Sequence, residues 1–187
     1  MKKNSSINET KKKIKDAFIR LYFEKDIMNI TVKNICSEVP ISRTNFYNYY
    51  DNVYSVYEDI EGDVLSDLDK ITIDFSESDF SDNHTENLHG ISEVLDYMQK
   101  NSIYMRALIR HGGTSGFTYK WKKQIKDKFN KKYAKEMSHK AERSVYLEFT
   151  VAGITGVCEY WLYHPDKFSK KDVIDGVYNM VCHEKRE

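Results

Sequence analysis

Between residues 31 and 50 the chain groups side chains suited to reading base edges and holding phosphates. Arg43 can pair with the O6 and N7 of guanine, and Asn45 and Asn48 with the N6 and N7 of adenine. The hydroxyls of Thr44 and Tyr47, with the free amides at the start of the helix that Ser42 opens, can hold phosphate oxygens. Other chemistries find no support in the spacing. The six histidines (84, 89, 111, 139, 164 and 183) never stand at metal-ligand spacing with one another or with Cys36, Cys158 and Cys182. The sequence has no Gly-rich phosphate loop, nucleophile elbow or paired carboxylates in an apolar frame. We expect no catalysis, no metal and no cofactor.

Side chains of this kind need short, well-placed helices beneath them. Thr31 is a plausible N-cap for a helix running to Val39, with Val32 and Ile35 turned inward. Ser42 can cap a second helix to Tyr50, burying Phe46 with Tyr49 or Tyr50. Two short helices joined by a tight turn form a helix-turn-helix, whose second helix enters the major groove. Ahead of them, Ile14, Ala17, Phe18 and Leu21 mark one face of an amphipathic helix over 8–25. Behind them, Asn52 can start a long fourth helix carrying Val53, Tyr57, Ile60, Val64, Leu68 and Ile71. The Ser/Asp/Asn/His-rich stretch 76–89 reads as a loop.

Helical periodicity continues to the end of the chain. Ile91–Asn101 and Ser102–His111 are two further helices, followed by an interruption at Gly112–Gly116. A basic amphipathic helix over 117–140 carries Trp121, Ile125, Phe129 and Tyr133. Glu142–Tyr163 is apolar on nearly every side, so it must be covered all round. Ser169 and Asp172 resemble a capping box for a last helix through His183. About nine helices with no competing strand pattern define an all-α chain. Its parts are a helix-turn-helix domain over 1–52 and a helical effector-binding and dimerisation domain over 53–187.

Length and charge bound the partners. The chain has 187 residues, 29 Lys and Arg against 29 Asp and Glu, and 40% hydrophobic content. That is enough to bury a core, and no stretch approaches the roughly 20 apolar residues of a membrane span. A soluble, cytoplasmic protein without a membrane partner is expected. The neutral total conceals three blocks: +5 over residues 1–50, −13 over 51–98 and +8 over 99–187. A basic head before an acidic helix suits a DNA-facing surface, the acids limiting non-specific adhesion.

The run Thr31-Val32-x-x-Ile35-Cys36, then Ile41-Ser42-Arg43-Thr44-Asn45-Phe46-Tyr47-Asn48-Tyr49-Tyr50, resembles the DNA-binding domain of TetR-family transcriptional regulators. The likeness covers about residues 10–60. It implies a homodimer on an operator, with the last two helices forming the dimer bundle and a ligand pocket in the C-terminal domain. It also implies phosphate contacts at Thr31 and Tyr47. Pro40 departs from the usual glycine of the turn and Val53 from the usual lysine opening the fourth helix. The C-terminal half resembles, less specifically, regulators related to the dihydroxyacetone kinase activator. Some members of that branch work with a protein partner.

Three expectations follow for the C-terminal part. The dimer interface is expected at Phe149, Gly153, Ile154, Val157, Tyr160, Trp161, Val173, Val177, Tyr178 and Val181. A ligand pocket, if the aromatic and methionine stripe is more than core, would take in Tyr97, Met98, Tyr104, Met105, Leu108, Phe117, Trp121 and Phe149. The function so implied is a DNA-binding regulator, a repressor, acting on a pseudo-palindromic operator and controlled by a small molecule or protein. The alternative, motivated by Pro40, Val53 and the basic helix 120–140, is a protein-interaction or co-activator module with an auxiliary DNA head.

Overall fold

A computed structural model describes residues 2–77, 84–110, 116–134 and 137–182; the side chains at 2–5, 72–77, 84–89, 132, 133, 181 and 182 are not part of it. The described residues form nine α-helices and no strand. The chain folds as two compact units, Met1–Val64 and Leu65–Glu187.

The first unit holds α1 (Lys2–Glu24), a 3-10 turn (Ile27–Asn29), α2 (Val32–Glu38), α3 (Arg43–Tyr47) and the opening turns of α4 (Val53–Glu77). Ile14, Ala17 and Phe18 of α1, Ile35 of α2 and Phe46 of α3 are fully buried, so each helix gives its apolar stripe to one core. Val53, Val56 and Ile60 of α4 are buried as well. The two compact units divide inside α4, between Val64 and Leu65. Asn52 starts that helix, its Oδ1 accepting from the Ser55 amide at 3.0 Å.

The second unit contains the rest of α4, then α5 (His84–Lys100), α6 (Ser102–Arg110), α7 (Phe117–Tyr133), α8 (Lys140–Tyr163) and α9 (Lys170–Cys182). The expected loop over 76–89 is corrected here: Ser76 and Glu77 belong to α4, and residues 84–89 to α5. Ser, Asp and Asn disfavour helix by only tenths of a kcal/mol each, and tertiary context readily overrides so small a bias. Positions 78–83, residues 112–115 of the expected interruption, His111 and His183 lie outside the described residues. The capping box at α9 is present: the Ser169 amide donates to Asp172 Oδ2 at 2.7 Å, and the Asp172 amide to Ser169 Oγ at 3.2 Å.

Helix α8 is apolar on two faces. Leu147, Val151, Cys158, Trp161 and Leu162 are buried in the unit's own core, and the Thr155 hydroxyl there donates to the Val151 carbonyl at 2.7 Å. The other face leaves Val145, Phe149, Ala152, Gly153, Gly156 and Tyr160 exposed. No helix among the described residues is long and apolar enough to cross a membrane.

Candidate nucleic-acid interface

The turn between α2 and α3 is closed by an unusually short link. The Ile41 amide donates to the Val39 carbonyl at 2.7 Å, spanning Pro40 alone. Such a three-residue turn needs a central φ near about −75°, which a proline ring supplies. A glycine with positive φ is thus not required, and no described residue has one. Val53 stands buried in the core at the start of α4, so its position is a packing site.

Capping fixes both helices locally. Thr31 and Asn34 form a reciprocal box: the Asn34 amide donates to Thr31 Oγ1 at 3.2 Å, while the Thr31 amide and hydroxyl donate to Asn34 Oδ1 at 3.0 and 2.7 Å. The Thr31 hydroxyl proton is thereby committed within α2. At α3 the Asn45 amide donates to Ser42 Oγ at 3.1 Å and the Phe46 amide to the Ser42 carbonyl at 2.9 Å. Phe46 then points inward, fully buried.

With Phe46 inside, Arg43, Thr44, Tyr47 and Asn48 are left exposed, and Asn45 half-exposed. Tyr47 stands edge-on to the Phe46 ring, centroids 5.6 Å apart. The Asn48 amide nitrogen reaches Asn45 Oδ1 at 3.4 Å. No acidic residue lies between Val39 and Tyr50. This is a polar face of donors and hydroxyls suited to base edges and phosphates.

Its cations are fewer than the +5 block implies. Lys12 and Lys13 pair along α1 with Asp16 and Glu9, and Arg20 reaches Glu38. Lys11 and Lys15 turn to α4, where Lys15 meets Asp59 at 2.9 Å and Asp63 at 2.6 Å. Among the described residues of this unit, Lys25, Lys33 and Arg43 carry no ion pair. The acids of α4 that the sequence ascribed to repelling stray DNA include Asp59 and Asp63, which bind α1.

Asp59 is a structural tie beneath this face that spacing alone missed. Its Oδ2 accepts from the Tyr50 hydroxyl at 2.6 Å as well as from Lys15 and Lys11. It thereby ties the segment leaving α3 to α1 and α4. Burial raises the Asp59 carboxyl, but the Tyr50 hydroxyl and the two lysines outweigh it and hold the group below its ordinary value. The folded value lies under the unfolded one, so its stabilising contribution is present above about pH 4 and fades as pH falls further. Asp59→Asn is expected to cost about 1 kcal/mol at neutral pH, measured by urea unfolding, given the partly exposed lysine contacts. The gap to the parent chain should close as pH falls below about 4 and through the lowered folded value; a constant gap would remove the carboxylate from this role.

The second unit contains a small apolar cavity of about 40 Å³, open on one side. It is lined by Gly90, Ile91 and Val94 of α5, Trp121, Ile125 and Phe129 of α7, and Ile154 and Cys158 of α8. Of the eight pocket residues expected from sequence, Trp121 alone lines it. Met98, Met105, Leu108 and Phe117 are fully buried but do not line it; Tyr97 and Tyr104, half-exposed, lie away from it too. Phe149 is 78% exposed and borders a separate groove with Gly153, Val157, Val177 and Met180. The expected interface divides as well. Phe149, Gly153 and Tyr160 are exposed and Ile154, Val157 and Tyr178 half-exposed, whereas Trp161, Val173 and Val177 are buried by their own chain. The Val181 side chain lies outside the described residues.

Comparison with known proteins places this architecture. Residues 86–182 match a TetR C-terminal family, described as the transcriptional regulator C-terminal region. An uncharacterized HTH-type transcriptional regulator of Bacillus subtilis, YxbF, is 23% identical over 182 residues. That alignment takes in 92% of this chain and 44% of the relative, so the chain spans less than half of that protein's length. A TetR transcriptional regulator from Streptococcus agalactiae superposes with a TM-score of 0.68 at 20% identity, covering 97% of this chain and 98% of that one. The dihydroxyacetone kinase operon activator DhaS superposes with a TM-score of 0.59 at 19% identity, covering 94% and 95%. At these identities the likeness of the two structures is one of fold.

Proposed function

The chain belongs to the TetR family of transcriptional regulators, and on that premise we propose that it binds a pseudo-palindromic DNA operator as a homodimer, represses transcription there and is controlled through its C-terminal unit. The observation that carries the DNA reading is the capped helix α3. It buries Phe46 and turns Arg43, Thr44, Tyr47 and Asn48 outward on a face free of acids. Arg43 and the paired amides Asn45 and Asn48 read base edges in this proposal, while Ser42, Thr44 and Tyr47 hold the backbone. Thr31 contributes by holding α2 in place, because its hydroxyl proton is engaged with Asn34.

The dimer reading draws support from the second apolar face of α8. Val145, Phe149, Ala152, Gly156 and Tyr160 recur at helical spacing and stay exposed in the single chain. A twofold pair of identical heads then matches two half-sites about one helical turn apart. An effector that favours one separation of the heads would change affinity for the operator.

A gel-shift titration with the DNA upstream of its own gene tests the reading. Lys33 and Arg43 in each of two protomers give four unpaired cations for phosphates and bases. The logarithm of affinity is therefore expected to fall with the logarithm of salt at a slope of roughly −3 to −5. Absence of salt-sensitive binding to any genomic fragment refutes the proposal. A reporter behind the bound operator that loses expression on removal of the protein reverses the sign from repressor to activator.

A further inference from the structure

We infer that Tyr50 and Asp59 are positioning residues for α3. The hydrogen bond between them sets the pose in which α3 offers its side chains to base edges, and so governs operator selectivity without either residue touching DNA. The inference rests on α3 being the reading helix and names what aims it.

Helix α3 is too short to fix its own orientation. It has five residues, and Phe46 is the one buried side chain among them. A single ring docked in a core sets where a helix sits but leaves it free to rock; aim requires further anchored points. The turn through Pro40 supplies one ahead of the helix. Tyr50 supplies the other behind it. The amides of Tyr49 and Tyr50 both donate to the Phe46 carbonyl, at 2.9 and 3.1 Å, so Tyr50 moves with α3. Its ring also lies against the Phe46 ring, centroids 5.9 Å apart.

From there Tyr50 is fastened to two longer helices. It is 5% exposed, and its hydroxyl donates to Asp59 Oδ2 of α4 at 2.6 Å. The same oxygen receives Lys15 of α1 at 2.9 Å and Lys11 at 3.4 Å, and the Lys11 ammonium stands 5.0 Å over the Tyr50 ring. Phenylalanine would serve packing alone. A hydroxyl directed at a carboxylate adds direction, because a hydrogen bond weakens steeply off its line. Buried as it is, Tyr50 does not reach a base or phosphate itself.

Loosening this bond lowers the fraction of molecules whose α3 is correctly aimed, and apparent operator affinity falls by that fraction. Non-specific binding needs only charge beside phosphates and is indifferent to the pose. Selectivity also separates aim from stability. Domains fold with a folded-to-unfolded ratio on the order of a thousand or more, so a tenfold drop leaves nearly every chain folded.

The test titrates the full chain, Tyr50→Phe, Asp59→Asn and the double variant by gel shift. Two probes are used: the genomic fragment that the parent chain selects, and random-sequence DNA of equal length. Tyr50→Phe is expected to bind the selected fragment about tenfold more weakly, with its affinity for random DNA and its salt slope unchanged. Asp59→Asn should lose about the same selectivity. The double variant should lose no more than either alone, as the two ends of one bond require. Tyr57→Phe is the control: it removes a hydroxyl of the same unit that donates to Glu61 at 3.1 Å, and it should keep full selectivity.

Unchanged selectivity in Tyr50→Phe overturns the inference, as does an equal loss on both DNAs. Additive losses in the double variant, or the same loss in Tyr57→Phe, overturn it too. If Tyr50→Phe fails to fold, by circular dichroism, Asp59→Asn set against Tyr57→Phe decides alone. The two failures are distinguishable. A parent chain that selects a fragment which Tyr50→Phe reads equally well sinks this inference alone, whereas a parent chain that selects none takes the regulator proposal down with it.

Discussion

Arg43→Ala is expected to lower affinity for the operator about a hundredfold or more and to flatten its salt dependence by about two units. Arginine pairing with guanine is worth about 1–3 kcal/mol per site, and a symmetric dimer loses two such contacts at once. Two effects combine at this position. Arg43 is one of the cations in its unit that no acid neutralises, so its loss removes charge from the face and from the counterion balance together. It is exposed and makes no capping bond, so the helix beneath it should remain. Circular dichroism and the thermal midpoint are therefore expected to match the parent chain. A quantitative gel shift at several salt concentrations reads both numbers. Unchanged affinity and slope would show that α3 does not face DNA. Transcriptional control that persists in the Arg43→Ala, Tyr47→Ala double variant would favour a protein-partner role.

The second large effect is expected at α8. Phe149→Glu should convert the protein from twice the chain mass to a single 22.1 kDa particle at micromolar concentration, with operator affinity falling to that of one head. Phe149 is 78% exposed in the single chain, so the substitution removes little from the protomer's own core. Across a twofold interface it buries two carboxylates with no partner, a cost of several kcal/mol. Gly156→Leu gives an independent check. A Cβ placed at Gly156 meets nothing within 4 Å in the single chain. Leucine there should stabilise the isolated helix by several tenths of a kcal/mol yet weaken the dimer if two α8 helices approach closely. Light scattering and sedimentation distinguish the outcomes. A parent chain that is itself monomeric at micromolar concentration ends the interface proposal.

The helix-turn-helix was legible because its determinants are local. Thr31, Ser42 and Asn52 cap helices within three residues of themselves, and Phe46 is chosen for burial by helical spacing alone. A single sequence displays such relations directly. The role of Asp59 was hidden because its partners Lys11 and Lys15 lie more than forty residues away, and a carboxylate on a helix face reads the same whether it meets solvent or lysine. The +5 block misled for the same reason. Counting charges over a segment says nothing of which ones the fold pairs off.

By itself the sequence determined the all-helical class of the protein, an architecture of about nine helices that the described residues match, and the residues on the outward face of α3. Those follow from periodicity, capping and residue chemistry, all properties of neighbours along the chain. The tertiary structure decided how the two apolar faces of α8 are used. Trp161, Val173 and Val177, read as interface, are taken into the unit's own core, and Phe149, read both as interface and as pocket, is turned out. A helix that is apolar all round states only that every side must be covered. Which side is covered by the same chain depends on where the other helices lie, and no local pattern carries that information.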